Sequence, residues 1–221
     1  MAPEALIAIG AAAAAGGIVY AVRALERKRR EAYEHYSLTR GFTFERERPD
    51  AHRRFETVFD LLAKGRSRKW GYTIAGKRNG YPFTAFEYAW VTSGGKNSQR
   101  HHLRGIVWES PAGPLPQFSI APEGPLARLG HLLGRPDIDF AESPEFSQAY
   151  EVNGQDEAAV RALLTSEIRA FLAATPRQQV TGGGPYLFWW DTGRLPRADL
   201  LDEWLEAGDR VRRLFLRPAT S

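Results

Sequence analysis

From Ala5 to Val22 the chain carries no charged side chain, and apolar or small residues fill all but one of the positions. The next sixteen residues, RALERKRREAYEHYSL, reverse that pattern with alternating basic and acidic groups. Eighteen residues make roughly 27 Å of α-helix, just under the ~30 Å of a bilayer core. Leu6, Ile7, Ile9, Ile18, Val19 and Val22 favour insertion, and Gly10, Gly16 and Gly17 weaken it. A cleaved export signal puts its positive charge before the apolar run, whereas here only Glu4 precedes it. A soluble alanine-rich helix would show a polar face, and this one shows none. The pattern therefore predicts a transmembrane helix over 5–22, preceded by a short extracytoplasmic end, 1–4. A basic juxtamembrane helix and linker follow over 23–48, then a cytoplasmic domain over 49–217. Positive charge downstream of the span sets that orientation, and the address expected is the inner membrane.

Within 23–38, Glu26/Arg30, Arg27/Glu31 and Arg30/Glu34 stand at helical i,i+4 spacing. Residues 41–49 look like a connector. Over 49–65, Phe55, Val58, Phe59 and Leu62 follow the helical period and Gly65 suits the end of that helix. The period then changes to two. KWGYTIAGKRNGYPFTAFEYAWVTS holds Asn79-Gly80, a strong hairpin signal. In its second strand Phe86, Tyr88 and Trp90 share one face, and Phe83, Ala85, Glu87 and Ala89 share the other, which reads as the solvated side. A third strand follows over 99–110 and a short fourth over 116–123. A brief helix is expected over 125–134, a strand over 146–154, and a long helix over 156–174 capped by Asp156. A second hairpin spans 178–194, and an amphipathic helix closes the chain. Consecutive hairpins imply an antiparallel sheet, hence an α+β fold with a β meander and hairpins packed against helices on one face, preceded by the single N-terminal transmembrane helix.

Composition narrows the chemistry more than it identifies it. The chain has 221 residues, is 43% hydrophobic and 12% aromatic, and has no cysteine, so disulfides and thiolate chemistry are excluded. Net charge is +4, shared evenly between residues 1–44 and the rest, and the body shows no basic stripe of the kind nucleic acid requires. GYTIAGKR, residues 71–78, has the glycine and lysine spacing of a phosphate loop, but Arg78 and a hairpin turn replace the Ser/Thr and helix that such a loop needs. WWDTGR, residues 189–194, resembles the Asp-Thr-Gly core of aspartic proteases, but that chemistry needs two aspartates and this chain has one copy. His101 and His102 are neighbours in a strand and point to opposite faces, so they do not share a metal. Acid/base candidates are Glu87, Asp137, Asp139 and Asp191. No metal or cofactor is expected.

AFEYAW, LPQFSIAPEG, PDIDFAESPEFSQAYEV and NGQDEAAVRALL together resemble a group of predicted membrane-anchored bacterial proteins of unknown function. The likeness covers about residues 55–190. It implies the same architecture, an N-terminal span followed by an α+β domain, and no catalytic residue. The expectation is then a binding or scaffolding module at the membrane. Its surface contacts would be Arg23, Arg27, Lys28, Arg29 and Arg30, and its partners the lipid bilayer and another membrane or cytoplasmic protein. The alternatives are a membrane-proximal enzyme of hydrolase type using those acids, and a sensor of anionic lipid.

Overall fold

The computed structural model describes the backbone of residues 3–46, 49–94, 97–111, 113–123 and 137–216; the side chains of 3–15, 49–52, 93–94 and 97 lie outside that description. The helix expected over 125–134 and most of the segment expected to span a membrane, 5–15, fall on residues or side chains not described. Among the described residues no helix is long and apolar enough to cross a membrane.

A single long helix, α1 (Pro3–Arg40), leads into strand β1 (Thr43–Arg46). Two short helices, α2 (Pro49–Glu56) and α3 (Asp60–Ala63), precede the meander β2 (Arg66–Arg78), β3 (Tyr81–Gly94) and β4 (Asn97–Glu109). Then come β5 (Leu115–Pro122), α4 (Pro144–Ala149), β6 (Tyr150–Gly154), α5 (Glu157–Leu163) and α6 (Ser166–Ala174). The hairpin β7 (Gln179–Gly184) and β8 (Tyr186–Thr192) and the closing helix α7 (Leu201–Phe215) complete the fold. The class is α+β. One antiparallel sheet of eight strands has the order β1-β2-β3-β4-β8-β7-β5-β6.

The Asn79-Gly80 turn joins β2 to β3 with both residues at positive φ, 52° and 83°, which is what a two-residue hairpin of matching twist demands. The asparagine side chain donates to Asp209 of α7 at 2.8 Å, and Asp209 also accepts from Arg212 at 2.5 Å. Arg212 lies 3.8 Å over the Tyr81 ring, so the turn end of the hairpin is bolted to α7 through buried charge.

Alternation along β3 holds, but the side read as solvated is buried. Tyr72, Ile74, Phe83, Ala85, Ile106, Trp108 and Trp189 pack under α1, α5, α6 and α7. The opposite face carries Trp70, Phe86, Tyr88, Trp90, Phe188 and Trp190 and is covered by Phe55, Phe59, Leu61 and Leu62 from α2 and α3. Helices thus cover both faces, the larger ones on the first. Trp189 and Trp190 divide between the two cores, as adjacent strand residues must.

Other boundaries differ for local reasons. The helix expected over 49–65 breaks at Thr57: its hydroxyl donates back to Arg54 O, and Gln117 of β5 takes the freed carbonyl of Val58 at 3.0 Å. The helix expected over 156–174 breaks at Leu164, because Thr165 caps a new helix by accepting from Ile168 N. Asp156 caps the first half as expected, accepting from Ala159 N at 3.0 Å. The segment 146–154 is strand only from Tyr150; Pro144 at the first helical turn makes the preceding residues α4. The connector after Gly41 contains β1, which pairs with β2.

Candidate site at the base of the N-terminal helix

Five side chains of α1 at alternating spacings of three and four, Glu26, Arg29, Tyr33, Tyr36 and Arg40, form the stripe that joins helix to domain. Such spacing keeps residues on one helical face. Tyr36 donates to Asp202 of α7 at 2.8 Å, and Arg40 pairs with the same carboxylate. Tyr33 is fully buried and donates to Pro196 O at 2.8 Å. Its ring meets Tyr72 edge-on at 5.4 Å. Burial pushes the Tyr33 phenol above its usual range, so it stays a donor.

Arg29 forms the central contact. Its guanidinium pairs with Glu87 of β3 and lies 5.2 Å from the centroids of both the Tyr33 and Tyr72 rings. Burial works against its charge, but the Glu87 carboxylate outweighs that and holds the group protonated. Glu87 is 9% exposed and also accepts from Leu195 N at 2.8 Å. Gly71 of β2 makes room for it: a Cβ there would stand 3.0 Å from Glu87 Cβ and Oε2. One turn earlier, Glu26 accepts from Arg194 at 3.1 Å and from Tyr72 OH at 3.2 Å. Burial raises its pKa, while the Arg194 charge and these bonds prevail and hold it below the usual carboxylate value.

Beside this clamp the sheet is exposed at Lys69, Arg100 and His102. A cleft of about 270 Å³ is lined by Lys69, Glu87, Ala89, Arg100, His102 and Arg194. A second, of about 170 Å³, shares Lys69, Gly71, Glu87 and Arg194 and adds Glu26 and Arg46. Register explains the first. Lys69, Ala89 and His102 are cross-strand neighbours on β2, β3 and β4, and Arg100 follows His102 on the same face. Ala89 is the small residue between two long ones, so it forms the floor. The Asp191-Thr-Gly193 turn delivers Arg194 from the opposite wall; Gly193 has φ 118°, and its N–H donates to His102 O at 3.0 Å.

The structure separates the residues singled out in the sequence. Arg29 turns into the domain, while Arg23, Arg27, Lys28 and Arg30 are exposed. Arg30 pairs with Glu34 at 2.7 Å, and Glu26 bonds to Arg194. His101 stacks on Trp90 at 4.9 Å, on the face opposite His102. The four candidate acids do not converge. Asp191 pairs with Arg104 at 3.1 Å, and Asp137 accepts from Val152 N at 2.7 Å with its pKa raised by burial. None of the larger clefts among the described residues is lined by two of the four. No group of three metal-ligating side chains occurs among the described residues. The basic cleft has no sequence motif, because Arg46, Lys69, Arg100 and Arg194 come from four segments and meet only through strand register.

No protein-family model and no curated protein sequence matches the chain. Its fold is similar to that of the mycobacterial trehalose monomycolate transport factor A, TtfA, known from a crystal structure. The TM-score is 0.51 with 13% sequence identity, over 88% of this chain and 97% of that one. At that identity the likeness concerns the fold.

Proposed function

We propose that the protein is a binding or scaffolding module held at the inner membrane by α1, with the α+β domain on the cytoplasmic side. The observation that carries this is the bare helix. Ile18, Val22 and Leu25 share one side of α1, Val19 and Tyr20 lie on other sides, and all five are 49–71% exposed. A helix apolar all round belongs inside a protein core or a membrane, and residues 16–22 are exposed in the described structure. Arg23, Arg27, Lys28 and Arg30 follow, where they stay in the interface and favour the cytoplasmic side for what comes after. Below them the clamp of Arg29, Tyr33 and Tyr36 makes the same helix part of the domain, so the anchor is a stiff stalk and not a tether. The scattered acids favour binding over hydrolysis, and the fold shared with a transport factor suits an accessory role. Fractionation without detergent tests the reading. The full chain should sediment with membranes and resist alkaline extraction, and a chain starting at residue 23 should not. A full chain that stays in the supernatant would overturn the anchor; export of a reporter fused at Ser221 would overturn the orientation.

A further inference from the structure

We infer that the cleft over Ala89 is a site for the phosphate of an anionic phospholipid headgroup. The inference rests on the membrane-held reading for its source of ligand, and on the cleft itself for its chemistry. The two adjoining cavities are lined by four permanent cations, Arg46, Lys69, Arg100 and Arg194, against two carboxylates. Both carboxylates are already engaged, Glu87 by Arg29 and Leu195 N and Glu26 by Arg194 and Tyr72. Arg100 and His102 form no ion pair among the described residues. The surplus is positive, and it surrounds a gap.

The gap has the right form for a phosphate. Adjacent strands lie about 4.8 Å apart, so Lys69 and His102, on either side of Ala89, have backbones about 10 Å apart. Lys69 and the His102 ring across that span, with only a methyl between them, leave a seat for one tetrahedral anion. Arg100 is then available for the charge-assisted bonds that guanidinium groups make to phosphate oxygens, beside Arg194, which Glu26 holds at 3.1 Å. Position selects the lipid. α1 and β2 run in the same direction: Tyr36 meets Phe42 at a tilt, the Phe42 ring covers Gly76, and Tyr33 meets Tyr72 further back. The helix therefore leaves the domain past the start of β2, beside Ser67 and Lys69, which line the cleft. A bilayer entered by α1 would present its headgroups to this end of the sheet.

The test uses the full chain in a nonionic detergent and calorimetric titration with dihexanoyl phosphatidylglycerol below its micellar concentration. Parallel arms use dihexanoyl phosphatidylcholine and inorganic phosphate. The site predicts saturable phosphatidylglycerol binding that weakens with added salt. It also predicts at least tenfold loss in the Lys69→Ala/Arg100→Ala double variant and in Arg100→Glu alone. Arg100 is exposed, so the single variant should keep the wild-type urea midpoint and report on binding even if the double variant unfolds. Equal binding of both lipids, unchanged binding in Arg100→Glu, or inorganic phosphate binding as tightly as the lipid would each overturn the headgroup site. The probe is water-soluble, so the two readings fail separately. A soluble full chain that still binds would remove the anchor and spare the cleft; a membrane-bound chain that does not bind would do the reverse.

Discussion

Replacing Arg29 with alanine removes the guanidinium facing Glu87 and strands a carboxylate that is 9% exposed. Breaking a buried pair from one side costs about 3–5 kcal/mol. Two features here lower that figure. The Arg29 and Glu87 side chains retain 20% and 12% of their exposure, and Glu87 keeps the Leu195 N–H at 2.8 Å. The expected cost is therefore about 3 kcal/mol, the low end of that range. For a chain of this length that lowers the melting midpoint by about 6–12 °C. Glu87→Ala should cost a similar amount, since it removes the carboxylate that both Arg29 and Leu195 N donate to. The double variant should cost less than the two together by about 2 kcal/mol, because the second change removes a group the first had already stranded. Urea titration of the four proteins, followed by tryptophan fluorescence in a fixed detergent, gives the cycle. Hydrogen exchange adds location: amides of residues 26–40 should lose protection in Arg29→Ala while those of β3 and β4 keep it. Additive costs within about 0.5 kcal/mol, or unchanged protection in α1, would refute the clamp, since residues with no shared contact behave that way.

Asp209→Ala leaves Arg212, 3% exposed, without its carboxylate and frees the Asn79 turn; a loss of about 3–5 kcal/mol is expected in the same titration, and a loss under about 1 kcal/mol would contradict the bolt between hairpin and α7. Burial pulls the Lys64 ammonium down to about 8 from 10.5. The folded value lies below the unfolded one, so the unfolded chain holds more protons across that interval and stability rises as pH increases through it. Reductively ¹³C-methylated protein should show one lysine titrating near 8, and Lys64→Met should flatten the rise; lysines that all titrate near 10 would contradict this. Gly105→Ala would place a Cβ 2.4 Å from the Phe188 ring and 3.0 Å from Trp189 O, an overpacking worth about 1–3 kcal/mol, and an unchanged urea midpoint would show that the cross-strand fit is looser than described.

The elements with a clean period were legible in the sequence. The Asn79-Gly80 hairpin, the two faces of β3 and the amphipathic α7 depend on neighbours in the chain, and they stand where alternation and turn chemistry put them. The helix breaks at Thr57 and Leu164 were less so, because tertiary partners decide them: Gln117 claims one carbonyl and Arg169 the other. Glu87 misled for a related reason. Glutamate among aromatics in an alternating strand usually marks the wet face, and only the arrival of Arg29, 58 residues earlier in the chain, makes its burial affordable. The basic cleft was invisible in net charge, since its arginines and lysine are balanced in composition by acids that lie elsewhere, around α7 among other places. Strand register separates the two sets, and register is not written in any one segment.

The stalk account commits to an orientation, and single-label quenching in proteoliposomes measures it most directly. The chain has no cysteine, so Ser67→Cys and Lys77→Cys each give one labelling site. The two lie ten residues apart on β2, about 33 Å along the strand. A fluorophore at position 67, beside the cleft and near where α1 leaves the domain, should be strongly quenched by a quencher attached to lipid headgroups, and one at position 77 should not. Equal quenching at both positions would contradict a rigid helix that holds this end of the sheet against the membrane.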